Sequence, residues 1–427
     1  MINAKISRFN VLFFYACLLI IGATENGYAE PVKIGLNYPQ TGPYSVQGKA
    51  QLDAAQLAAQ EINDQGGILG RAVELVMRDT QSQPDVSTAN VLELIDKEEC
   101  EMIFGGSSSA VAIAGGKAAK SRGKLYFGTL TYSNTTTGEA GHKYMFRECY
   151  NAWMGAKALS KYLVKENLNA MKYFYITADY TWGRTTEESI RTFSWTTDTR
   201  RHPRRYVPFP GATYKNLSDA LSWAGAVKPD VLVLVLFGKD MSRALTILKE
   251  RDMKKKFQLI VVPNLTLGMA VEAGAEAMEG VIGTLPWAWN IPYEYNFPDG
   301  QEFVEKFSEM YHRYPSSSAA SAYTILYQYK DAVERAGTFD SKSVIKALEG
   351  HTFVSLKDEQ MWRAFDHQAI QSVYTVRCKS PEDVRRDKFK EDYFEILDRM
   401  DGEEAARTEE HWLKLREEAH EPVKLEF

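Results

Sequence analysis

The sequence contains few of the residues from which metal and redox centres are built. Its 427 residues include four cysteines and seven histidines, and these form neither a Cys-x-x-Cys nor a His-Glu-x-x-His pattern. A metal site would have to be assembled from distant residues, so we predict neither a metal nor any other cofactor. Beyond the N-terminal segment only Cys100, Cys149 and Cys378 remain, and three cysteines allow at most one disulfide bond.

Signatures of catalysis and of nucleic-acid binding are also missing. The chain has no Gly-x-Ser-x-Gly elbow and no phosphate-binding loop, so we predict that it is not an enzyme. Its 51 Lys and Arg residues are balanced by 56 Asp and Glu residues, a net charge of −5. The one dense basic run, residues 200–205, is too short for a nucleic-acid surface and is interpreted as a solvated loop. We expect no nucleic-acid partner.

The one long apolar run lies at the N-terminus. Lys5 and Arg8 precede the apolar run Val11–Ile21, and Gly27 and Ala29 supply the small residues that a signal peptidase reads. The run is shorter than the ~20 residues that span a bilayer. Residues 1–29 are therefore predicted to be a cleaved signal peptide, and the mature chain is predicted to be exported to the periplasm without membrane insertion.

The rest of the chain contains short β-rich runs. Its 44% hydrophobic and 25% charged residues are typical of a globular protein. The run Val231–Phe237 is apolar on both faces, as in a strand buried within a parallel sheet. The predicted strands are Val32–Tyr38, Val73–Asp79, Met102–Gly106, Leu125–Leu130, Tyr173–Ala178, Val231–Phe237 and Leu259–Val262.

Helices are predicted between these strands, where apolar residues are spaced three and four apart. In Gln51–Asn63 the apolar stripe includes Leu52, Ala55, Ala59 and Ile62. The other predicted helices are Asp85–Asp96, Ala110–Ser121, Trp153–Lys165, Arg184–Phe193, Tyr214–Ala224, Asp240–Arg251, Gln301–Tyr311 and Ala319–Ala336. Alternation of this kind predicts an α/β fold of right-handed β-α-β units.

The alternation is interrupted near Tyr150 and near Gly283, which suggests two α/β lobes between which the chain passes more than once. The segment 381–427 differs from the rest because it is dense in charge. Its apolar residues are spaced as on two helices, with Phe389, Tyr393, Phe394 and Leu397 on the first and Trp412 and Leu415 on the second. We predict that this segment is a helical extension packed on the main body.

Several motifs resemble those of a known family. They are Thr41-Gly-Pro-Tyr44, Glu61-Ile-Asn-Asp-Gln-Gly-Gly-Ile-Leu-Gly-Arg71, Gly106-Ser-Ser-Ser-Ala-Val111, Ala178-Asp-Tyr-Thr-Trp-Gly183 and Glu279-Gly280. Over roughly residues 31–380 the chain resembles type I periplasmic solute-binding proteins of ABC importers, and more closely the leucine/isoleucine/valine-binding group. The resemblance implies two Rossmann-like lobes joined by three crossovers, a small-molecule ligand held between them, and an inner-membrane ABC permease as partner.

The resemblance also implies how the chain is divided. Residues 31–150 would form lobe 1, completed by about residues 284–352. Residues 151–283 would form lobe 2, completed by about residues 353–380, and residues 381–427 would form the helical extension. The implied function is that of a periplasmic receptor for branched-chain or hydrophobic amino acids. A ligand-sensing regulatory protein is the alternative of another class, since it would share the fold and differ in its partner.

The serine run is a candidate ligand site. Ser107–Ser109 follow a predicted strand and precede a predicted helix, so their hydroxyls can bind an anion together with the free N–H groups of the first turn, such as that of Ala110. By the resemblance, Ser109, with its neighbour Ser108, holds the ligand carboxylate. The competing interpretation is that these serines only cap the helix, although capping requires one serine and three are present.

The resemblance implies further ligand contacts on the neighbouring loops. Some cover the ligand with an aromatic ring, and others offer a carbonyl, a hydroxyl or an amide. They are Tyr44 and Gln47 on the first loop, Leu130 with Thr131 or Tyr132 at the end of the fourth strand, and Trp182 from the second lobe. Two further candidates come from the residues themselves: Phe237, at the end of a predicted strand, can pack against an apolar ligand body, and Asn264 can accept a hydrogen bond from a neutral donor.

One position departs from the family pattern. The amino-acid binders carry an acidic residue just after the strand that matches Leu259–Val262, where it pairs with the ligand ammonium, whereas this chain has Pro263 followed by Asn264. An enclosed ammonium without a partner costs ~3–5 kcal/mol. Either another acid such as Asp179 replaces it, or the ligand is an amide, a urea-like compound, or an aromatic or aliphatic carboxylate.

Overall fold

Five strands near the N-terminus form the first sheet. The computed structural model describes residues 30–427, so the predicted signal peptide lies outside the described residues. The strands are β1 (Val32–Tyr38), β2 (Val73–Asp79), β3 (Met102–Gly105), β4 (Leu125–Gly128) and β5 (Met145–Arg147). All neighbours are parallel, in the spatial order β2-β1-β3-β4-β5. The carboxyl ends of these strands therefore lie along one edge of the sheet.

The later strands form a second, larger sheet and a small third one. They are β6 (Tyr173–Ala178), β7 (Arg204–Val207), β8 (Val231–Val235), β9 (Leu259–Asn264), β10 (Ile282–Leu285), β11 (Thr352–Phe353), β12 (Gln360–Trp362), β13 (Ala369–Ile370), β14 (Val373–Cys378) and β15 (Phe394–Met400). The second sheet has the order β15-β14-β10-β9-β8-β6-β7, and β11, β12 and β13 form the third sheet. In the second sheet β14 and β15 are antiparallel to their neighbours, while β6 to β10 are parallel.

Helices cover the two large sheets. They are α1 (Ser45–Asp64), α2 (Pro84–Asp96), α3 (Ser109–Ser121), α4 (Ala152–Lys165), α5 (Thr181–Phe193), α6 (Tyr214–Val227), α7 (Lys239–Glu250), α8 (Leu267–Ala273), α9 (Ala275–Met278), α10 (Ile291–Glu294), α11 (Pro298–Tyr311), α12 (Ser317–Ala336), α13 (Ser341–Leu348), α14 (Pro381–Arg386), α15 (Gly402–Ala405) and α16 (Glu409–Glu418). Helix α12 packs on α1, α2 on α3, and α4 on α5. Among residues 30–427 no helix combines the length and the apolar character that a membrane crossing requires.

The predicted α/β fold is confirmed, and each predicted strand is present. Strands β1, β2 and β6 have the predicted bounds, and β8 is buried along its whole length. Strand β4 ends at Gly128, so Leu130 lies in the following loop rather than in the strand. Strand β10 extends to Leu285, slightly beyond the interruption expected near Gly283. Cys100, Cys149 and Cys378 are buried free thiols.

Two predictions about local structure are wrong. The segment containing Phe394 and Leu397 is the strand β15, not a helix. Without β15, the edge of β14 would carry unpaired backbone N–H and C=O groups. A neighbouring strand can form hydrogen bonds with these groups, whereas a helix cannot. The tail is therefore only partly helical, although Trp412 is buried in α16 as expected. In the basic run, Arg204 and Arg205 belong to β7, an edge strand on which charged side chains discourage pairing with other chains.

Candidate functional site

A cluster of seven aromatic side chains lies between the two large sheets. We call it the aromatic cluster; its members are Tyr44, Tyr132, Tyr150, Tyr180, Trp182, Phe209 and Phe237. Phe237, two residues beyond β8, lies at its centre. The Phe237 ring centroid is 5.3 Å from that of Tyr44, 5.9 Å from that of Tyr132 and 5.9 Å from that of Trp182. The structure thus brings together four residues that the sequence identified as candidates.

Tyr150, Tyr180 and Phe209 belong to the aromatic cluster but were not predicted as site residues. The rings of Tyr180 and Phe209 stack with centroids 3.8 Å apart, and the Tyr180 hydroxyl is 3.0 Å from the Tyr44 hydroxyl. Burial raises the pKa of Tyr44 and of Tyr180, so these hydroxyls stay protonated at neutral pH and can donate hydrogen bonds. Tyr180 lies within the motif that contains Trp182 and could have been found there, whereas Phe209 follows β7, a strand that was not predicted.

The three serines before α3 have different surroundings. Ser107 Oγ accepts a hydrogen bond of 2.5 Å from Gln51 Nε2, and Ser109 Oγ accepts one of 3.0 Å from the Ser133 N–H. Ser108 is the N-cap residue of α3, yet it makes no capping bond. Its buried hydroxyl has no hydrogen-bond partner within the described part of the chain. Ser108 therefore has a free polar group beside the first helical turn, which begins with Ser109 and Ala110.

In the loop after β4, the side chains of Thr131 and Tyr132 point in different directions. The Thr131 hydroxyl lies 2.7 Å from that of Thr136 within the same loop. Tyr132 instead contributes its ring to the aromatic cluster, and its buried hydroxyl has no partner among residues 30–427. Leu130 is buried in the core. Of the two candidates, Tyr132 is thus the one whose side chain faces the space between the sheets.

Polar side chains bridge the first and second sheets beside the aromatic cluster. Gln47 Nε2 on α1 donates to Thr266 Oγ1 at 3.4 Å, while Gln47 Oε1 is buried and has no partner in the described chain. Asn264 at the end of β9 donates to the Tyr150 hydroxyl at 2.6 Å, and that hydroxyl also lies 3.0 Å from Thr284 Oγ1. Gln47 and Asn264 therefore lie at the boundary between the sheets, together with Thr266, which was not among the sequence candidates.

Pro263, which lies within β9 and replaces the acidic residue of the family pattern, offers no carboxylate. The Pro263 carbonyl accepts a hydrogen bond of 2.5 Å from Thr284 Oγ1. Asp179, considered as a replacement acid, is paired with Arg184 at 2.7 Å on a solvent-exposed surface. Within residues 30–427 there is also no group of three or more His, Cys, Asp or Glu side chains that could hold a metal ion.

Comparisons with known proteins identify the family. The chain belongs to the periplasmic binding protein family, whose sequence profile matches residues 31–383. One relative, Leu/Ile/Val-binding protein homolog 4 of Brucella melitensis biotype 1, is 24% identical over 371 residues, which cover 83% of this chain and 85% of the relative.

Solved structures share the fold. A periplasmic binding protein from Burkholderia mallei superposes with a TM-score of 0.78 at 23% identity and covers 89% of this chain and 97% of its own. The solute-binding protein of an ABC transporter from Rhodopseudomonas palustris BisB5, in complex with 3,4-dihydroxybenzoic acid, has a TM-score of 0.73 at 18% identity, with coverages of 87% and 98%. The predicted family and two-sheet architecture are confirmed.

Proposed function

We propose that this protein is the solute-binding receptor of an ABC import system and that it captures a small ligand between two closing lobes. The observation that carries the proposal is the aromatic cluster at the boundary between the sheets, with the unpartnered hydroxyls of Ser108 and Tyr132 beside it. Buried polar groups normally find partners. Free hydroxyls next to an apolar surface in a protein of this family are what a ligand with a polar head and an apolar body would satisfy.

The ligand class follows from the chemistry of this boundary. The hydroxyl of Ser108 and the N–H groups at the start of α3 suit a carboxylate or an amide oxygen. The rings of the aromatic cluster suit an aromatic or branched aliphatic body, whose burial contributes ~25 cal/mol per Å² of apolar surface. Because Pro263 replaces an acid, an α-ammonium adjacent to the carboxylate has no counter-charge there. Aromatic and aliphatic carboxylates and amides therefore fit better than leucine.

A thermal-shift screen tests this proposal. Purified residues 30–427 are melted with benzoate, benzamide, 4-methylpentanoate and leucine, since a ligand at about 100 times its Kd stabilises the folded state by ~2.7 kcal/mol. We expect at least one acid or amide to raise the melting temperature and to be recovered chemically unchanged after incubation. Turnover of the compound would contradict a receptor, and the absence of binding across an extended panel of acids, amides and amino acids would contradict the ligand class.

The cellular setting is part of the same proposal. We infer that residues 1–29 are removed on export to the periplasm, that lobe 1 consists of residues 31–150 with about 284–352, and that lobe 2 consists of residues 151–283 with about 353–380. The partner is an inner-membrane ABC permease, on which the closed lobes dock. The intact mass of secreted protein checks the first point: a mature N-terminus at Glu30 is expected, and retention of residues 1–29 in a membrane fraction would contradict it.

A further inference from the structure

A cavity of about 410 Å³ opens beside the aromatic cluster. We call it the side cavity. It lies between α1 and α8, against the loop that precedes α12, and the tail contributes Glu391 to its wall. Its volume is within the ~300–1,000 Å³ typical of small-molecule sites. Glu391 lies beyond residues 31–383, which the family profile matches.

The side cavity is close to the serine run. Gln47 lines the cavity and lies four residues before Gln51 on α1, so the two side chains share one face of the helix. Gln51 Nε2 donates to Ser107 Oγ at 2.5 Å. Along α1, the cavity wall at Gln47 is therefore about one helical turn, ~5.4 Å, from Gln51, the residue that contacts Ser107. This spacing brings the cavity within a few ångströms of the serine run, a distance that a short-chain ligand can bridge.

Two buried polar atoms in the cavity wall lack partners. Gln47 is 2% exposed and Ser318 is fully buried, and both line the cavity. Neither Gln47 Oε1 nor Ser318 Oγ makes a hydrogen bond anywhere in residues 30–427. Leaving a buried acceptor or hydroxyl unsatisfied costs ~1–3 kcal/mol, which a ligand with N–H donors would recover.

The charges around the cavity are unbalanced. Its two cations, Arg313 and Lys49, are both paired with Asp53. Glu272 accepts a hydrogen bond of 2.9 Å from Ser242 Oγ, and Glu391 accepts one of 2.9 Å from the Tyr314 N–H. Neither glutamate has a cation within 4 Å in the described residues. Burial raises the pKa of the Glu391 carboxyl, and the hydrogen bond from the Tyr314 N–H and the charge of Arg313 offset this rise only in part. A neighbouring ligand cation would oppose it further.

We propose that the side cavity binds a cationic group of the ligand, an ammonium or a guanidinium, and that Glu391 determines this specificity. The inference rests on the proposed receptor function and narrows its ligand class. The ligand then carries a carboxylate or amide head at Ser108 and a cation separated from that head by a short chain. Leucine does not meet this requirement, because its ammonium and carboxylate are attached to the same carbon.

Calorimetry with matched ligand pairs tests the inference. The probes are 4-aminobutanoate, 5-aminopentanoate and 6-aminohexanoate, each compared with the acid that lacks the amino group. We expect at least one amino acid of this series to bind about tenfold or more tightly than its partner acid, as one charge-assisted hydrogen bond allows. Equal affinities within every pair, or no binding of either series, would overturn the inference.

Two substitutions test whether Glu391 in the tail causes the preference for the amino compound over its partner acid. Glu391→Gln keeps an acceptor for the Tyr314 N–H and removes the charge, so the preference for the amino compound should fall to about threefold or less. Glu395→Gln, on an exposed carboxylate of β15 that lies 3.5 Å from Arg377, should leave it unchanged. If Glu391→Gln does not fold, Glu391→Asp, which keeps the charge but withdraws it by one methylene group, should lower the preference instead. An unaltered preference in the folded variant would show that the cation binds elsewhere.

The experiments distinguish a failure of the cationic ligand class from a failure of the proposed receptor function. If the screen finds an acid or amide that binds while the ω-amino series shows no preference, the receptor proposal stands and the cationic ligand class is wrong. If 5-aminopentanoate binds and Glu391→Gln abolishes its advantage, both are supported.

Discussion

Replacing Ser108 by alanine separates ligand binding from helix capping. Ser108 is the N-cap residue of α3, but its hydroxyl makes no capping bond and has no other partner in residues 30–427. Removal of a working N-cap costs ~0.5–2 kcal/mol of stability. Here no bond is lost, so the free energy of unfolding should change by less than ~0.5 kcal/mol. Affinity should behave differently, since a hydrogen bond to a charged ligand group contributes ~1.5–3 kcal/mol.

That difference corresponds to a Kd raised about tenfold to 150-fold, measured by calorimetry with the tightest acid or amide from the screen. Urea unfolding of the same samples gives the stability. Ser380→Ala is the matched control, because Ser380 is the N-cap of α14 and its Oγ accepts from the Asp383 N–H at 3.2 Å. This control should lose ~1 kcal/mol of stability at an unchanged Kd.

Ser109→Ala is less informative than Ser108→Ala. Ser109 Oγ accepts from the Ser133 N–H at 3.0 Å, so alanine would leave a buried donor unsatisfied at a cost of ~1–3 kcal/mol. Weaker binding in that variant could then reflect a displaced loop. The reasoning about Ser108 is refuted if Ser108→Ala binds the ligand with unchanged affinity, or if it loses as much stability as Ser380→Ala.

Three further predictions concern the ligand, pH and the tail. Leucine should bind more weakly than 4-methylpentanoate in calorimetry, because Pro263 cannot pair with an ammonium; tighter leucine binding would contradict this. Burial lowers the pKa of His142 to about 3, so the unfolded chain takes up a proton near pH 6.5 and the folded one does not. The free energy of unfolding should then fall by up to ~1.4 kcal/mol per pH unit as the pH drops from 6.5 towards 3. In His142→Gln, the free energy of unfolding measured in urea should depend less on pH between pH 7 and 5. An unaltered pH dependence would contradict the lowered pKa of His142. Trp412 is buried and donates to the Thr137 carbonyl at 2.8 Å. Trp412→Ala should therefore lower the free energy of unfolding in urea by ~3–5 kcal/mol, and Trp412→Phe should lower it less. Equal losses of stability in the two variants would contradict a packing role.

The fold could be predicted from the sequence because local and global preferences agree. A run such as Val231–Phe237 is buried on both faces in the structure, and the spacing of apolar residues in α1 matches its packing on α12. The tail could not be predicted in the same way. Phe394 and Leu397 are spaced as on a helix, yet both lie in the strand β15, where Phe394 is opposite Cys378 of β14 and Leu397 falls at a shift in the strand register. That pairing depends on which sheet edge is open, and a local pattern does not contain this information.

The site was predictable where a residue belongs to a motif at a strand end. Ser108 follows β3 and Trp182 follows β6, and both lie at the boundary between the sheets. Glu391 was not predictable, since it lies in the tail and reaches the side cavity only because β15 brings that segment alongside α8 and α12. Aromatic residues make up 12% of the chain, so composition alone could not select the seven that meet.

The topology, however, shows how those seven could be selected. Parallel strands end at the same edge of a sheet, and the aromatic residues follow strand ends closely: Tyr132 after β4, Trp182 after β6 and Phe237 after β8. Phe209 obeys the same rule, two residues beyond β7. It was missed because the arginines of β7 were interpreted as a loop, which removed a strand end from the prediction. Charged residues are common on exposed edge strands, where they discourage pairing with other chains. The charge of β7 therefore made the strand resemble a loop and hid the candidate residue that follows it.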